Sequence, residues 1–158
     1  MLRRSDLLSF SAFLPFFSFI FQPIWVFGIP IMVTSIKTFD PTFKDSIYTP
    51  HFRKKTSLVL LVLSILEGIT GFGAGPTTSN FITEITLGLL NRGLSLELHL
   101  ALITPLALFF VLHTVSGFGS MLISKGIKNQ IVYKYVIPVT WLAMYLVAIY
   151  LDLSYFIP

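Results

Sequence analysis

Two histidines, 14 positions apart, are the residues best suited to carry chemistry in this chain. His99 and His113 lie in one long apolar stretch. In an α-helix this spacing is just under four turns, so both imidazoles leave nearly the same face, about 21 Å apart along the axis. Imidazole is a common axial ligand of haem iron, and burying it in hydrocarbon without a partner is costly. The spacing predicts two haems stacked along one helix; the alternatives are histidines that bond to nearby backbone or lie at a membrane interface.

Four other ionisable residues lie in or beside apolar stretches. Glu67 lies inside one of them, where a carboxylate indicates proton transfer or a quinone contact, or else a structural Glu that faces the bundle. His51 lies next to a basic run, and we predict a surface or interface residue, with a quinone or haem propionate contact as the alternative. Glu97 and Asp152 lie near the ends of apolar stretches and are predicted to be solvated.

The composition indicates that the elements positioning these residues cross a membrane. The chain is 54% hydrophobic and only 11% charged, whereas a soluble domain usually has about 25% charged residues. Its mean hydropathy is +0.83. We predict an all-α fold with a single membrane domain over residues 1–158, containing about four transmembrane helices. The predicted spans cover residues 7–36, 56–74, 96–124 and 131–157.

Two segments are predicted to depart from simple transmembrane helices. The first span contains Pro15, Pro23 and Pro30, so we expect it to be kinked or partly extended near its end, and to be retained rather than cleaved as a signal peptide. Between the second and third spans, residues 81–90 are apolar on one side at helical spacing. This pattern predicts either a short amphipathic helix in the membrane interface or a packed loop.

The distribution of positive charge predicts an orientation. The loop between the first two predicted spans and the turn between the last two carry eight basic residues, which are Lys37, Lys44, Arg53, Lys54, Lys55, Lys125, Lys128 and Lys134. The other side carries three, which are Arg3, Arg4 and Arg92. The positive-inside rule therefore places the eight-charge side in the cytoplasm or its equivalent, with both termini outside. The membrane would be a plasma membrane or an organellar inner membrane.

Several function classes are excluded by what the sequence lacks. There is no Cys, which excludes disulfides, thiolate zinc sites, cysteine-bound iron–sulfur clusters and covalent c-type haem attachment. No basic stripe with interleaved aromatic residues indicates nucleic-acid binding. No Walker loop, nucleophile elbow or metalloprotease helix is present, so we expect no independent catalysis.

The stretch over residues 56–124 resembles the first two helices of the cytochrome b family, the haem-bearing core of quinol–cytochrome c reductases. Residues 56–60 and 69–71 look like that family's opening helix, which begins on a Gly-Ser-Leu-Leu type run and ends on Thr-Gly. A loop of similar length follows. The resemblance covers fewer than half of the residues and depends on short motifs.

The resemblance assigns roles to the histidines and to nearby glycines. His99, His113 and Gly117 match the two histidines and the following glycine of the family's second helix. It implies that His99 ligates an outer haem b and His113 an inner one, with one or two haems in all. Gly71, Gly117 and Gly68 would let the porphyrin approach the backbone, although helix packing explains glycines equally well.

The chain differs from the family in the second axial ligand of each haem, on the side opposite His99 or His113. The family supplies these ligands from a later helix with its own histidine pair, and this chain has no such helix; Met144 in the last span is a candidate for one ligand. The resemblance therefore implies a reduced or split relative, in which other membrane subunits supply the missing ligands. Such a subunit of a respiratory-type oxidoreductase complex would relay electrons between quinone and a partner redox subunit. The alternatives are a haem-free structural or anchor subunit and a transporter component that uses Glu67.

Overall fold

The structure, a computed structural model, describes residues 3–127 and 129–156, except for the side chains of residues 19, 22 and 153–156. The described residues contain six α-helices and no strand, which confirms the all-α prediction. The helices are α1 (Arg4–Phe13), α2 (Gly28–Thr34), α3 (Pro50–Ala74), α4 (Ser79–Ile85), α5 (Arg92–Ser124) and α6 (Ile137–Phe156). Lys128 and Ile157, which belonged to the predicted charge count and fourth span, lie outside the described residues.

Within the described ranges, three helical segments are long and apolar enough to cross a membrane: α3, α5 and Val132–Asp152, which includes most of α6. α3 begins at Pro50, where the missing N–H costs nothing, and the Thr49 hydroxyl accepts a hydrogen bond from the Phe52 N–H at 3.3 Å. α5 begins after Asn91, whose side chain accepts from the Leu94 N–H at 2.9 Å. The second, third and fourth predicted spans are therefore helical.

The first predicted span is not a single helix, so the prediction of four long helices is wrong. Between α1 and α2 the chain forms two 3₁₀ segments, Leu14–Phe19 and Gln22–Phe27. Each has a proline in its first turn, Pro15 and Pro23 respectively. A proline lacks the N–H that an α-helix needs, and its ring clashes with the preceding turn. The two prolines divide the stretch into short pieces.

The N-terminal part of the chain returns to the end of the bundle from which it starts. The Asp6 carboxylate lies 2.8 Å from the Lys55 ammonium at the beginning of α3. The Arg4 guanidinium lies 5.9 Å from the centre of the Phe43 ring in the loop before α3. Because α1 begins beside the start of α3 and α2 leads back to it, we call residues 4–39 the re-entrant segment.

This path changes the placement of the termini. α3 leads away from the end that contains Lys55, α5 returns to it, and α6 leads away again. The described chain therefore begins and finishes at opposite ends of the bundle, a path that differs from the four-span arrangement. The sides of a membrane on which the two termini lie stay a prediction. Among the described basic residues, Arg92 alone lies at the end opposite Lys55.

Aromatic side chains attach the re-entrant segment to the long helices. The Tyr145 hydroxyl donates to the Trp25 carbonyl at 2.9 Å, and the Trp141 indole N–H lies 3.1 Å from the Met32 sulfur. Trp141 and Tyr145 are fully buried. The loop before α3 is fixed to α5 by Ser120, whose hydroxyl donates to the Tyr48 carbonyl at 2.7 Å. These contacts set the relative positions of α3, α5 and α6.

The connection between α3 and α5 contains the short helix α4. Phe81 and Ile85 are more than half exposed on it, whereas Ile82 is buried. Of the two alternatives for residues 81–90, the structure shows a short helix over Ser79–Ile85, whereas residues 86–90 form turns and bends. Its location in a membrane interface stays a prediction.

Candidate functional site

Both histidines of α5 point toward α3. His113 Nδ1 lies 2.9 Å from the Thr56 hydroxyl oxygen, and His99 Nδ1 lies 3.2 Å from a carboxylate oxygen of Glu67. Because α3 and α5 run antiparallel, the earlier residue on α3, Thr56, meets the later histidine on α5, His113, and Glu67 meets His99. The prediction that the two imidazoles share one face of the helix is confirmed.

The contacts of Thr56 favour one tautomer of His113. The Thr56 hydroxyl lies 3.2 Å from the Phe52 carbonyl and 3.0 Å from the Arg53 carbonyl, both in its own helix. A hydroxyl has one proton, and when it donates to these carbonyls its oxygen accepts from His113. The proton of the neutral imidazole is then on Nδ1, and Nε2 carries the free lone pair. Within the described part of the chain Nε2 has no hydrogen bond.

The Glu67–His99 contact is close but not aligned as a hydrogen bond. Both carboxylate oxygens of Glu67 and Nδ1 of His99 are buried, and none has a hydrogen-bond partner among the described residues. The side chains are 11% and 29% exposed respectively, so the Glu67 carboxylate faces the bundle and not its outer surface. A polar pair in this setting is costly unless its members interact, so each is the natural partner of the other.

The three glycines expected near a cofactor have different surroundings. A Cβ on Gly71 would lie 3.1 Å from Cε1 and 3.3 Å from Nδ1 of His99, so this glycine gives the His99 ring room against α3. Gly68 and Gly117 border open space, since no atom lies within 4 Å of a Cβ added to either. Gly117 follows His113 by one helical turn, and the backbone beside that ring is therefore uncovered.

The remaining predicted site residues are not brought to these histidines. His51 is exposed in the first turn of α3, as predicted for a surface residue. It precedes Thr56, the partner of His113, by five residues, about 7.5 Å along the helix. Met144 is 42% exposed on α6, with no contact to either imidazole among those described.

The prediction for Asp152 is wrong, whereas Glu97 is exposed as expected. Asp152 is only 7% exposed and lies beside Thr104 of α5. Its position near the end of an apolar stretch suggested access to water. The packing of α6 along α5 buries it instead, and the sequence gave no sign that Thr104 would be its neighbour.

The described side chains include no group of three or more His, Cys, Asp or Glu that could hold a metal ion together. A haem requires less from the protein, since the porphyrin supplies four ligands and the chain supplies only axial ones. An imidazole with Nδ1 held by an acceptor and Nε2 free is the usual form of a histidine ligand. His113 fits this description, and the Nδ1 atom of His99 has the Glu67 carboxylate in reach.

Comparisons with known proteins leave the function to be inferred from this geometry. The chain matches no protein-family model, and neither a curated protein nor a solved structure is significantly similar to it.

Proposed function

We propose that the chain is a multi-pass membrane subunit that binds haem b through His99 and His113 and relays electrons between quinone and a partner redox subunit. The observation that supports this most is the shared orientation of the two imidazoles. Each turns Nδ1 toward an oxygen of α3, which leaves its Nε2 available for a ligand. A haem bound there would supply a one-electron carrier on each side of the apolar layer.

The residues of α3 act as orienting groups in this proposal. Thr56 accepts a hydrogen bond from Nδ1 of His113, and the Glu67 carboxylate lies 3.2 Å from Nδ1 of His99. Both groups would orient the rings and make Nε2 the more basic ligand atom. Gly71 allows the His99 ring to approach α3, and the uncovered backbone at Gly117 leaves room for a flat ligand beside His113. None of these residues needs to react.

The opposite axial ligands are assigned to other membrane subunits. Both imidazoles are only partly buried in this chain, so a ligand on Nε2 would lie at the surface of the bundle. The exposed face of α3 offers a large area to a partner or to lipid, because only 17% of its most apolar window is buried. A partner helix that brings a histidine to this surface would complete the coordination.

We further propose that α3, α5 and α6 cross the membrane and that the re-entrant segment enters it from the basic side. The basic end would face the cytoplasm or its equivalent, in a plasma membrane or an organellar inner membrane. Because Arg3 and Arg4 lie at the same end as Lys55, the difference in positive charge between the two ends is larger than the eight against three of the predicted four-span arrangement. The N-terminus would be inside and the C-terminus outside.

A reduced-minus-oxidised absorption spectrum of the purified protein, with its associated subunits, tests the haem proposal. We expect α and Soret bands of b-type haem in the wild type. The variant His51→Ala should keep them, since His51 is exposed and contacts neither imidazole. A spectrum without b-type bands in a correctly assembled sample would overturn the proposal and leave a haem-free anchor subunit.

The Glu67–His99 contact also favours a second candidate, a transporter component in which this pair passes protons or an ion. A carboxyl group and an imidazole 3.2 Å apart between two apolar helices are suited to proton exchange. This candidate predicts proton uptake into vesicles that Glu67→Gln abolishes, in protein without haem absorption. Uptake that is unaffected by Glu67→Gln would eliminate it.

A further inference from the structure

Two neighbouring hollows lie at the basic end of the bundle, away from the histidines. One, of about 550 Å³, is lined by Lys37, Asp40, Lys134 and their neighbours Ile36, Thr42, Phe43 and Tyr135. The other, of about 420 Å³, shares Asp40, Thr42 and Lys134 with the first. Lys134 and Asp40, which line both hollows, lie 3.8 Å apart. We call the two hollows together the Lys134 cleft.

The charge of the cleft favours an anion, although a carboxylate is present. Asp40 is already engaged, because one of its oxygens accepts from the Thr42 N–H at 2.9 Å and from the Thr42 hydroxyl at 2.7 Å. These hydrogen bonds lower the pKa of Asp40, so it stays ionised and partly balances Lys134. Lys37 is exposed, and its ammonium group has no hydrogen bond or ion pair in the described part of the chain. One lysine therefore remains in excess.

With α6 crossing the membrane as proposed above, the cleft would lie at the boundary between water and hydrocarbon. Lys134 lies within the first turn of the apolar segment Val132–Asp152. At the mouth, Ile36 is 51% exposed and Tyr135 is 66% exposed. An apolar rim with an aromatic residue around a basic hollow is typical of the head-group layer of a membrane.

We propose that the Lys134 cleft binds the head group of an anionic phospholipid, with its phosphate on Lys37 and Lys134. The first carbons of the acyl chains would lie on Ile36 and Tyr135. The site is independent of the haem proposal, since none of its residues contacts His99 or His113. Its occupant would fix the end of the re-entrant segment against the start of α6.

Native mass spectrometry of the full chain in detergent tests the site, with equal amounts of dioleoylphosphatidylglycerol and dioleoylphosphatidylcholine. We expect a preference for the anionic lipid that falls about fivefold in Lys37→Gln and further in Lys37→Gln/Lys134→Gln, since each lysine near an anionic head group contributes about 1 kcal/mol. Lys44→Gln is the matched control: it is an exposed lysine seven positions further along the chain that does not line the cleft, and it should keep the wild-type preference.

Lys37 has no partner to lose, so the single variant separates ligand binding from folding. An unchanged preference in Lys37→Gln and in the double variant would overturn the proposal. So would an equal loss in Lys44→Gln, which would indicate general surface charge. Displacement of the lipid by water-soluble glycerol 3-phosphate at similar concentration would overturn it as well, since the site would then recognise a free phosphate.

Discussion

At the scale of single residues, His113 and its Thr56 partner provide the sharpest test of the orienting role assigned to α3. Valine has nearly the shape of threonine but no hydroxyl, so Thr56→Val removes the acceptor for His113 Nδ1 and leaves the packing intact. Loss of such an orienting partner typically costs 10–100-fold in metal-site affinity. We expect haem retention, measured by absorbance during dilution into detergent, to weaken by about this factor.

Thr140→Val is the control for that substitution. Thr140 makes the same kind of bond to its own helix, to the Val136 carbonyl at 2.8 Å, but lies exposed on α6. It should leave haem retention unchanged. Equal behaviour of the two variants would show that Thr56 acts only within its helix.

Gly71 and Gly68 form a matched pair one turn apart on α3. Gly71→Ala places a methyl group 3.1 Å from the His99 ring and should move it, with a loss of about 1–3 kcal/mol in the free energy of unfolding. Gly68→Ala adds a methyl group in open space and should be neutral or slightly stabilising. Thermal denaturation in detergent measures both, and a destabilised Gly68→Ala beside a neutral Gly71→Ala would contradict the placement of His99.

The sequence was sufficient to predict that the two histidines share a face, since helical periodicity depends only on spacing. It was not sufficient to predict Thr56 and Glu67 as their partners. The pairing depends on the axial position of α3 relative to α5. Tertiary contacts, such as that of Ser120 with the loop before α3, contribute to this position. Asp152 was misjudged for the same reason, because burial depends on which helix packs beside it.

At the scale of elements, the re-entrant segment depends on a few polar anchors to α6. Tyr145→Phe removes the hydrogen bond to the Trp25 carbonyl and keeps the ring. We expect a loss of about 0.5–1.5 kcal/mol in unfolding free energy and faster proteolysis between α1 and α2. Tyr150→Phe, at a residue that is 76% exposed on the same helix, is the control. Equal effects of the two substitutions would mean that the segment is held by apolar contacts alone.

The first thirty-six residues show why hydropathy alone predicted one helix too many. Their apolar content is that of a span, and prolines suggested only a kink or a partly extended end. The return of the re-entrant segment to its starting end is seen from a long-range contact, the ion pair between Asp6 and Lys55. No local sequence pattern predicts such a contact. The three long helices were predicted because each combines length with an apolar composition.

At the scale of the whole molecule, the path of the chain predicts which positions share a side of the membrane. The chain contains no native Cys, so a maleimide can react only with a cysteine that is introduced at a chosen position. In sealed vesicles, an impermeant maleimide should label Arg4→Cys and Lys54→Cys from the same side, and Asn91→Cys from the other. Labelling of Arg4→Cys together with Asn91→Cys would restore a four-span arrangement.

The number of haems per chain tests the central claim that each imidazole holds one iron. The measurement is haem b content in purified complexes of the wild type, His99→Ala, His113→Ala and the double variant. We expect each single substitution to remove a separate share of the haem and the double substitution to remove all haem held by this chain, while His51→Ala matches the wild type. Unchanged haem content in the double variant would show that neither histidine binds iron.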